Sequence, residues 1–491
     1  MPDNTTCIRT IAAASLSLWT GVASVAGPVY QPPGVNLILG DVTHGQRSQS
    51  ASSNPAAAAA DIARGSAKIT RGTVLSVAAG LEYGNVQNLF DFYDDVSNGY
   101  APGDPDPDDD IPVHLPEDGG LDLGDIWDQL DPDFQATIKA VARQVATQTV
   151  LLALISEEGY GRAFVSGDAP FVLGGEHLGG TWTYGVNWSG TSKAFGIPQP
   201  IDFDEDAARE ALEEWWNSFT GERPVTFSIS PDVLLRIDPL TDAIRFAVNN
   251  DSSMLTKATQ TTEVNLGYSR PAWSNSAGTL YLGAEARLYF MRLSRLSVRF
   301  GDISDAEEIF DAIRDSNFRN DERIGVDLGA LWVADNYQIG AQLTNVNEPD
   351  FTFPDVDLAL YTDDGVIGFL QSDQHYRMDR QFKLEASIFS SDRRLSAHLG
   401  LDADPATDPM GDKYQWATLS AGFTTDSWWL PGARIGYREN LTGTRMKYIG
   451  IGVTAFKILN IDISSTLDTV KIDGRKLPQG LMGSIGFQLS W

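Results

Sequence analysis

From Thr73 onward, apolar and polar residues alternate with period two through one segment after another. That periodicity marks strands with each face in a different environment. In the stretch Thr181 to Ser189, Trp182, Tyr184, Val186 and Trp188 share one face, while Thr183, Gly185, Asn187 and Ser189 share the other. Leu280, Leu282, Ala284, Ala286, Leu288 and Phe290 alternate in the same way with Tyr281, Gly283, Glu285, Arg287 and Tyr289. Each such segment runs roughly 9–12 residues, the length a tilted strand needs to cross a bilayer. Strands of soluble sandwiches run nearer 5–6 residues. The second face is rich in Gly, Ser, Thr and charge, which suits a wet interior.

The pattern predicts about fourteen strands, beginning near residues 73, 160, 179, 262, 278, 322, 336, 378, 394, 415, 432, 447, 459 and 480. The expected fold is therefore an all-β membrane protein, an antiparallel transmembrane barrel over residues 73–491. Connections alternate in length: 84–159, 193–261, 292–321 and 346–377 are long, and those between them are short. Long loops on one side and short turns on the other is the asymmetry of bacterial outer-membrane barrels, and it puts both termini on the periplasmic side. Two further strand-like runs, Val225 to Ile229 and Ala243 to Val248, are read as a hairpin inside a long loop; counted into the barrel they would make sixteen strands. Helical spacing appears in the exterior loops, from Asp131 to about Glu158, from Asp204 to Phe219 and from Ser304 to Asp315. Aromatics near strand ends (Trp332, Trp416, Trp428, Trp429 and Trp491) are expected to form interfacial girdles.

Two segments lie outside this pattern. Residues 11–26 form an apolar stretch ending in Ser24-Val25-Ala26, a small-x-small cleavage site, so residues 1–26 read as a signal peptide. Residues 27–72 are small and polar, with five successive alanines, and read as a separate N-terminal segment. At the other end, Ile485, Phe487, Leu489 and Trp491 form the apolar face of a strand whose last residue is aromatic. That arrangement resembles the signal read by the outer-membrane assembly machinery.

Charge narrows the function. The formal net charge of −30 repels phosphates, so direct nucleic-acid binding is not expected. The single cysteine, Cys7, lies in the segment expected to be removed, which rules out disulfide, thiolate-metal and dithiol redox chemistry in the mature chain. The five histidines have no His-x₃-His or HExxH spacing, and there is no G-x-S-x-G elbow. The reading is a non-enzyme without metal or cofactor; a Ser–His pair on the barrel wall is the one catalytic arrangement the sequence leaves open. Lumen-facing charges are expected at Glu285, Arg287, Asp327, Lys383, Glu385, Arg434 and Arg438, as a polar constriction or as an ion-pair network stiffening the wall. Trp215, Trp216 and Phe219 are candidates for an apolar ligand pocket near the mouth, or for packing onto the rim. The acidic run Asp104 to Asp110 lacks the Gly and distal Glu of a calcium loop and reads as a solvated face.

Several motifs carry a family resemblance. They are Gly40-Asp41-Val42-Thr43-His44-Gly45-Gln46 with Ser52-Ser53-Asn54-Pro55-Ala56, Gly80-Leu81-Glu82-Tyr83-Gly84, Gly325 to Trp332, and Gly340 to Val346. Together they resemble the FadL-like outer-membrane barrels and, more narrowly, the conjugal transfer TraF-type barrels. The resemblance implies a fourteen-stranded barrel with a hatch inside it, the hatch motif falling on Asn54, Pro55 and Ala56. It further implies passive uptake of hydrophobic small molecules, or a structural role among the proteins of a conjugation apparatus. The partners so implied are outer-membrane lipid, the assembly machinery, a hydrophobic ligand and conjugation proteins.

Overall fold

The computed structural model describes residues 32–44, 53–64, 71–84, 160–174, 179–199, 225–230, 233–238, 243–248, 250–299, 318–425, 427–472 and 475–490. Fourteen strands form one closed antiparallel barrel. They are β1 (Arg71–Tyr83), β2 (Tyr160–Gly174), β3 (Thr181–Ile197), β4 (Ser253–Asn275), β5 (Gly278–Arg299), β6 (Phe318–Val333), β7 (Tyr337–Thr344), β8 (Gln381–Phe389), β9 (Leu395–Asp402), β10 (Trp416–Phe423), β11 (Gly432–Asn440), β12 (Lys447–Ala455), β13 (Leu459–Thr466) and β14 (Gly480–Ser490). Each pairs with the next in sequence, and β14 pairs back onto β1 with Ile485 opposite Val77 and Phe487 opposite Leu75. Closure removes the unpaired edge that an open sheet would expose in hydrocarbon.

Residues 225–248 stand apart from the barrel as their own three-stranded sheet, which settles the strand count at fourteen rather than sixteen. Its middle strand, Val233–Asp238, went unread because the run Val-Leu-Leu breaks period two. The barrel strands also continue well into the expected loops 193–261 and 292–321. β4 and β5 span 23 and 22 residues, whereas β7 to β13 span 8 or 9. At about 3.3 Å per residue the two tall strands run roughly 70 Å, far beyond a bilayer. Their upper parts carry inward-facing, buried residues such as Lys257 and Arg295, held against the segment 350–378, so the ladder has reason to continue in water.

The outer face of the barrel is apolar. On β12, Ile451 is 64% exposed while its neighbours Gly450 and Gly452 point inward and are buried. Leu75, Ile339, Ile388, Leu399, Leu419, Ile435, Ile463 and Leu489 are likewise exposed outward from eight other strands. A band this wide would aggregate in water but matches a bilayer. No described helix is long and apolar enough to cross a membrane; the strands do the crossing. Aromatics cluster where the short turns lie. Trp273 and Trp332 rings are 5.7 Å apart, and Trp428 and Trp429 lie 5.8 and 6.4 Å from Phe456. Trp416 departs from the girdle expectation. It takes the inward parity of β10 and stacks on Tyr414 inside the barrel, because an aromatic there completes a lumen cluster with Tyr448.

Residues 32–44 and 53–64 lie inside the barrel. The first carries a short helix α1 (Asn36–Leu39), and the second α2 (Ala57–Arg64). Alanine combines the highest helix propensity with the thinnest side chain. That lets α2 stand close to the wall, with Ala57, Ala58, Ala59 and Ala60 all buried.

Candidate functional site

The wall is cut to receive the inner segment. Gly283 on β5 and Gly329 on β6 face each other across their strand pair. A Cβ on Gly283 would collide with the carbonyl of Pro55, and one on Gly329 with the side chain of Asn54. On the opposite side Gly436 and Gly450 form a second facing pair on β11 and β12, filled by Ile38 of α1. Gly400 leaves room for Val42, whose Cγ1 would lie 2.7 Å from a Cβ there. Side chains were given up at these positions so that backbone could approach backbone.

Polar bonds then hold the segment. Glu385 on β8 accepts from the Thr43 amide, from Thr43 Oγ1 at 3.0 Å and from Asn54 Nδ2 at 2.7 Å. Asn54 Oδ1 in turn accepts from the Ala56 amide at 2.9 Å, shaping the entry to α2. Lys383 pairs with Asp41 at 2.8 Å. The Thr43 carbonyl accepts from Gln338 and, at 3.0 Å, from Ser387. His44 Nε2 lies 3.0 Å from Asn36 Oδ1, and burial, then His398 and Arg434, hold its pKa well below 6.5. Ser420 donates to the Leu39 carbonyl at 2.9 Å, and Ser269 accepts from the Ala59 amide at 3.0 Å.

A Ser–His pair does stand on the wall. His398 Nδ1 lies 2.8 Å from Ser387 Oγ, and its Nε2 lies 2.9 Å from Ser396 Oγ. Ser387 has one proton and donates it to Thr43, so Nδ1 must be the donor to Ser387. A nitrogen already protonated cannot accept the serine proton, and both residues are buried beneath the inner segment. In this arrangement the pair pins the segment.

Above the segment lies a cavity of about 210 Å³, bounded by Pro32, Pro33, Asn36, Asp41 and Val42 below and by Ala406, Thr407 and Asp408 above. Strands place a belt of charge around it. Arg287 on β5 is ion-paired with Glu263 (3.0 Å), Glu285 (2.8 Å) and Asp327 (2.8 Å). The guanidinium of Arg438 on β11 lies 4.2 Å from the Trp416 ring centre. Lower down, Arg434 binds Asp462 on β13 through two contacts, at 2.5 and 2.7 Å. The seven charges expected in the lumen thus all point inward, but they divide among three tasks. Arg287, Asp327 and Arg438 line the cavity, with Glu285 paired to Arg287 beside it; Lys383, which also lines it, and Glu385 grip the inner segment; and Arg434 braces the wall.

Other lumen groups escaped the sequence reading. Glu82 accepts from Tyr160 at 2.6 Å and Tyr448 at 3.0 Å. Arg162 binds Asp408, Asp412 (3.0 Å) and Tyr414, closing the loop 403–415 over the barrel, with Lys193 on Asp412 at 2.5 Å. Glu82, Arg162 and Asp168 all sit at inward positions of their strands, and that parity was the available signal. It is faint on β2, where Gly and Pro interrupt the alternation. On the tall wall, the helix α3 (Asp364–Ser372) was not anticipated, although Asp363 caps it by accepting from Val366 at 2.8 Å. Burial would raise the pKa of Asp251, but bonds from Thr362 and Asp363 outweigh it and lower it.

Ile485, Phe487 and Leu489 all face outward on β14. Trp491, Trp215, Trp216, Phe219, residues 1–26, the acidic run 104–110 and the expected helices 131–158, 204–219 and 304–315 lie outside the described residues. Among the described residues no group of three or more His, Cys, Asp or Glu could hold a metal ion.

These features define a class: a fourteen-stranded transmembrane β-barrel with its own N-terminal segment folded into the lumen. The chain belongs to the family described as F plasmid transfer operon, TraF, protein, whose model matches residues 51–404. No curated protein sequence matches it. Among solved structures it is similar to a deletion mutant of the TodX monoaromatic hydrocarbon channel, at 9% identity and a TM-score of 0.41, covering 94% of this chain and 98% of that one. It is also similar to a FadL homologue of Pseudomonas aeruginosa, at 14% identity and a TM-score of 0.35, covering 95% of this chain and 99% of that one. What this chain carries has to be read from its own residues.

Proposed function

We propose that this protein is an outer-membrane channel for passive uptake of small, largely hydrophobic molecules, with residues 27–72 as a hatch that must shift for passage. Residues 1–26 then serve as a cleaved signal peptide, and Ile485, Phe487, Leu489 and Trp491 as the assembly signal. The observation that carries the reading is the cavity lying directly on the segment 32–44. That segment is held to the wall by hydrogen bonds, an ion pair to Lys383 and the packing of Ile38 and Val42 against wall glycines, and none of these belongs to the barrel's own strand ladder. Each such bond contributes only about 1 kcal/mol net. At the mouth, Tyr289, Met291, Leu293, Phe351, Phe353, Tyr376 and Met378 form an apolar cluster on the inner side of the tall wall. The cluster is packed shut, and of its members only Tyr289 lines the cavity.

The test is uptake into proteoliposomes with the hatch tethered. Asp41→Cys with Lys383→Cys replaces an existing contact, and the mature chain offers no other cysteine. Uptake of toluene should stop on oxidation and return on reduction. Equal uptake with the tether closed would remove the hatch from the mechanism. Membership of the TraF family favours a second reading, a structural component of a conjugation apparatus in the outer membrane. That reading gains if reduced protein transports nothing yet deletion of the gene abolishes plasmid transfer.

A further inference from the structure

The cavity is not neutral. Three cations, Arg287, Lys383 and Arg438, line it against seven carboxylates, Glu263 and Asp327 among them, a formal excess of four negative charges. Another of the seven is Asp168 of β2. It is only 6% exposed, and its Oδ1 accepts no hydrogen bond among the described residues. Asn187 of β3 is its direct cross-strand partner and also lines the cavity. Its amide nitrogen is committed to Glu263 at 2.9 Å, and its Oδ1 accepts from no donor among the described residues. Two neighbouring oxygens are thus unsatisfied, one of them a buried carboxylate. A buried acceptor left in that state is costly, and a ligand bringing N–H donors and positive charge would relieve it. Among the described residues no group of three or more His, Cys, Asp or Glu could hold a metal ion there. A cavity of about 210 Å³ admits a small molecule and excludes a drug-sized one.

We propose that Asp168 and Asn187 bind a primary ammonium group, and that the molecules entering this lumen are small amines with an apolar body. The inference rests on the channel reading and specifies its cargo. The apolar body suits Pro32, Pro33, Val42 and Trp416, which line the same cavity, and the ammonium suits its carboxylates.

Titration calorimetry of the purified full chain in detergent micelles tests this with three probes of one shape: benzylammonium, benzyl alcohol and benzoate. Benzylammonium should bind at least tenfold more tightly than the other two. Asp168→Asn should weaken it at least tenfold while the heat-modifiable gel mobility of the folded barrel is unchanged. Asn187→Asp, which adds a second carboxylate, should tighten it. Equal affinity for the three probes in the natural protein overturns the proposal without recourse to any variant, as does unaltered binding by a folded Asp168→Asn protein. Proteoliposome uptake separates the two levels of the argument. Benzyl alcohol entering as fast as benzylammonium keeps the channel and overturns the ammonium site. Selective benzylammonium binding with no uptake of any solute keeps the site and overturns the channel.

Discussion

Gly283 and Gly329 stand opposite each other on neighbouring strands, and the space where their side chains would be is filled by the Asn54-Pro55-Ala56 turn. The notch is a lock for the hatch, and adding a methyl group to it is the most direct way to lift the hatch. Gly283→Ala or Gly329→Ala should cost about 1–3 kcal/mol of docking energy through overpacking. The expected readout is faster proteolysis within residues 53–64, with the barrel still resistant. Gly368 of α3, where a Cβ would meet nothing within 4 Å, supplies the control. Equal protease sensitivity for Gly368→Ala and Gly283→Ala would contradict the lock.

Glu385 joins both halves of the hatch, Thr43 and Asn54, to β8. Glu385→Ala should leave three donors, the Thr43 amide, Thr43 Oγ1 and Asn54 Nδ2, without this acceptor, at about 1–3 kcal/mol each. The Thr43 amide should then exchange its hydrogen about tenfold faster or more, read by mass spectrometry of the intact protein in detergent. Glu385→Gln keeps an acceptor and should lie between the two. Exchange unchanged in Glu385→Ala would mean the hatch is held elsewhere.

Acid should loosen the hatch through His44. Its pKa is held well below 6.5 by burial and by the neighbouring His398 and Arg434. Protonation therefore favours the undocked segment, where the ordinary value returns. The contribution is whole above about pH 6.5 and declines as pH falls below it. Hydrogen exchange of the amides around Leu39 and Gly40, corrected for intrinsic rates, should accelerate from pH 7.5 to pH 5. His44→Gln should flatten that dependence, and a dependence that survives the substitution assigns it to another group.

Arg434 and Asp462 form a two-contact pair with both side chains buried. Removing one partner strands a charge. Asp462→Asn or Arg434→Met alone should lower barrel stability by about 3–5 kcal/mol, while the double replacement by apolar residues should recover most of it. Thermal unfolding followed by gel mobility measures both. A double variant no more stable than either single one would show that the pair contributes through packing.

The barrel was legible because lipid on one side and a wet lumen on the other force strict alternation, and because closure and turn geometry leave few choices of strand start. β4 and β5 outran their expected ends, since above the bilayer the apolar face disappears while the hydrogen-bonded ladder persists. The hatch motif Asn54-Pro55-Ala56 falls where the wall glycines are, but nothing local tells a reader that Gly283 and Gly329 wait 200 or more residues downstream. The same holds for the lumen charges. Their inward direction follows from parity, but their partners do not, because Arg287 finds Glu263 and Asp327 only once strand register is fixed. Asp168, on the least regular strand, was not visible at all. Nor was the charge of the cavity: a tunnel for hydrophobic molecules suggests apolar walls throughout, and here Asp168, Glu263 and Asp327 share the lining with Pro33, Val42 and Trp416.

The height of β4 and β5 sets what the protein displays to its surroundings on that side. Loops must be ordered before they can be recognised, and the entropy lost is subtracted from affinity. Here the projecting surface is continuous sheet, pinned by Lys257 on Asp373 and Arg295 on the Leu370 carbonyl, so its order is already supplied by folding. A molecule or partner arriving from that direction meets a rigid parapet, and any change in its shape would have to be transmitted down the strands into the barrel wall itself.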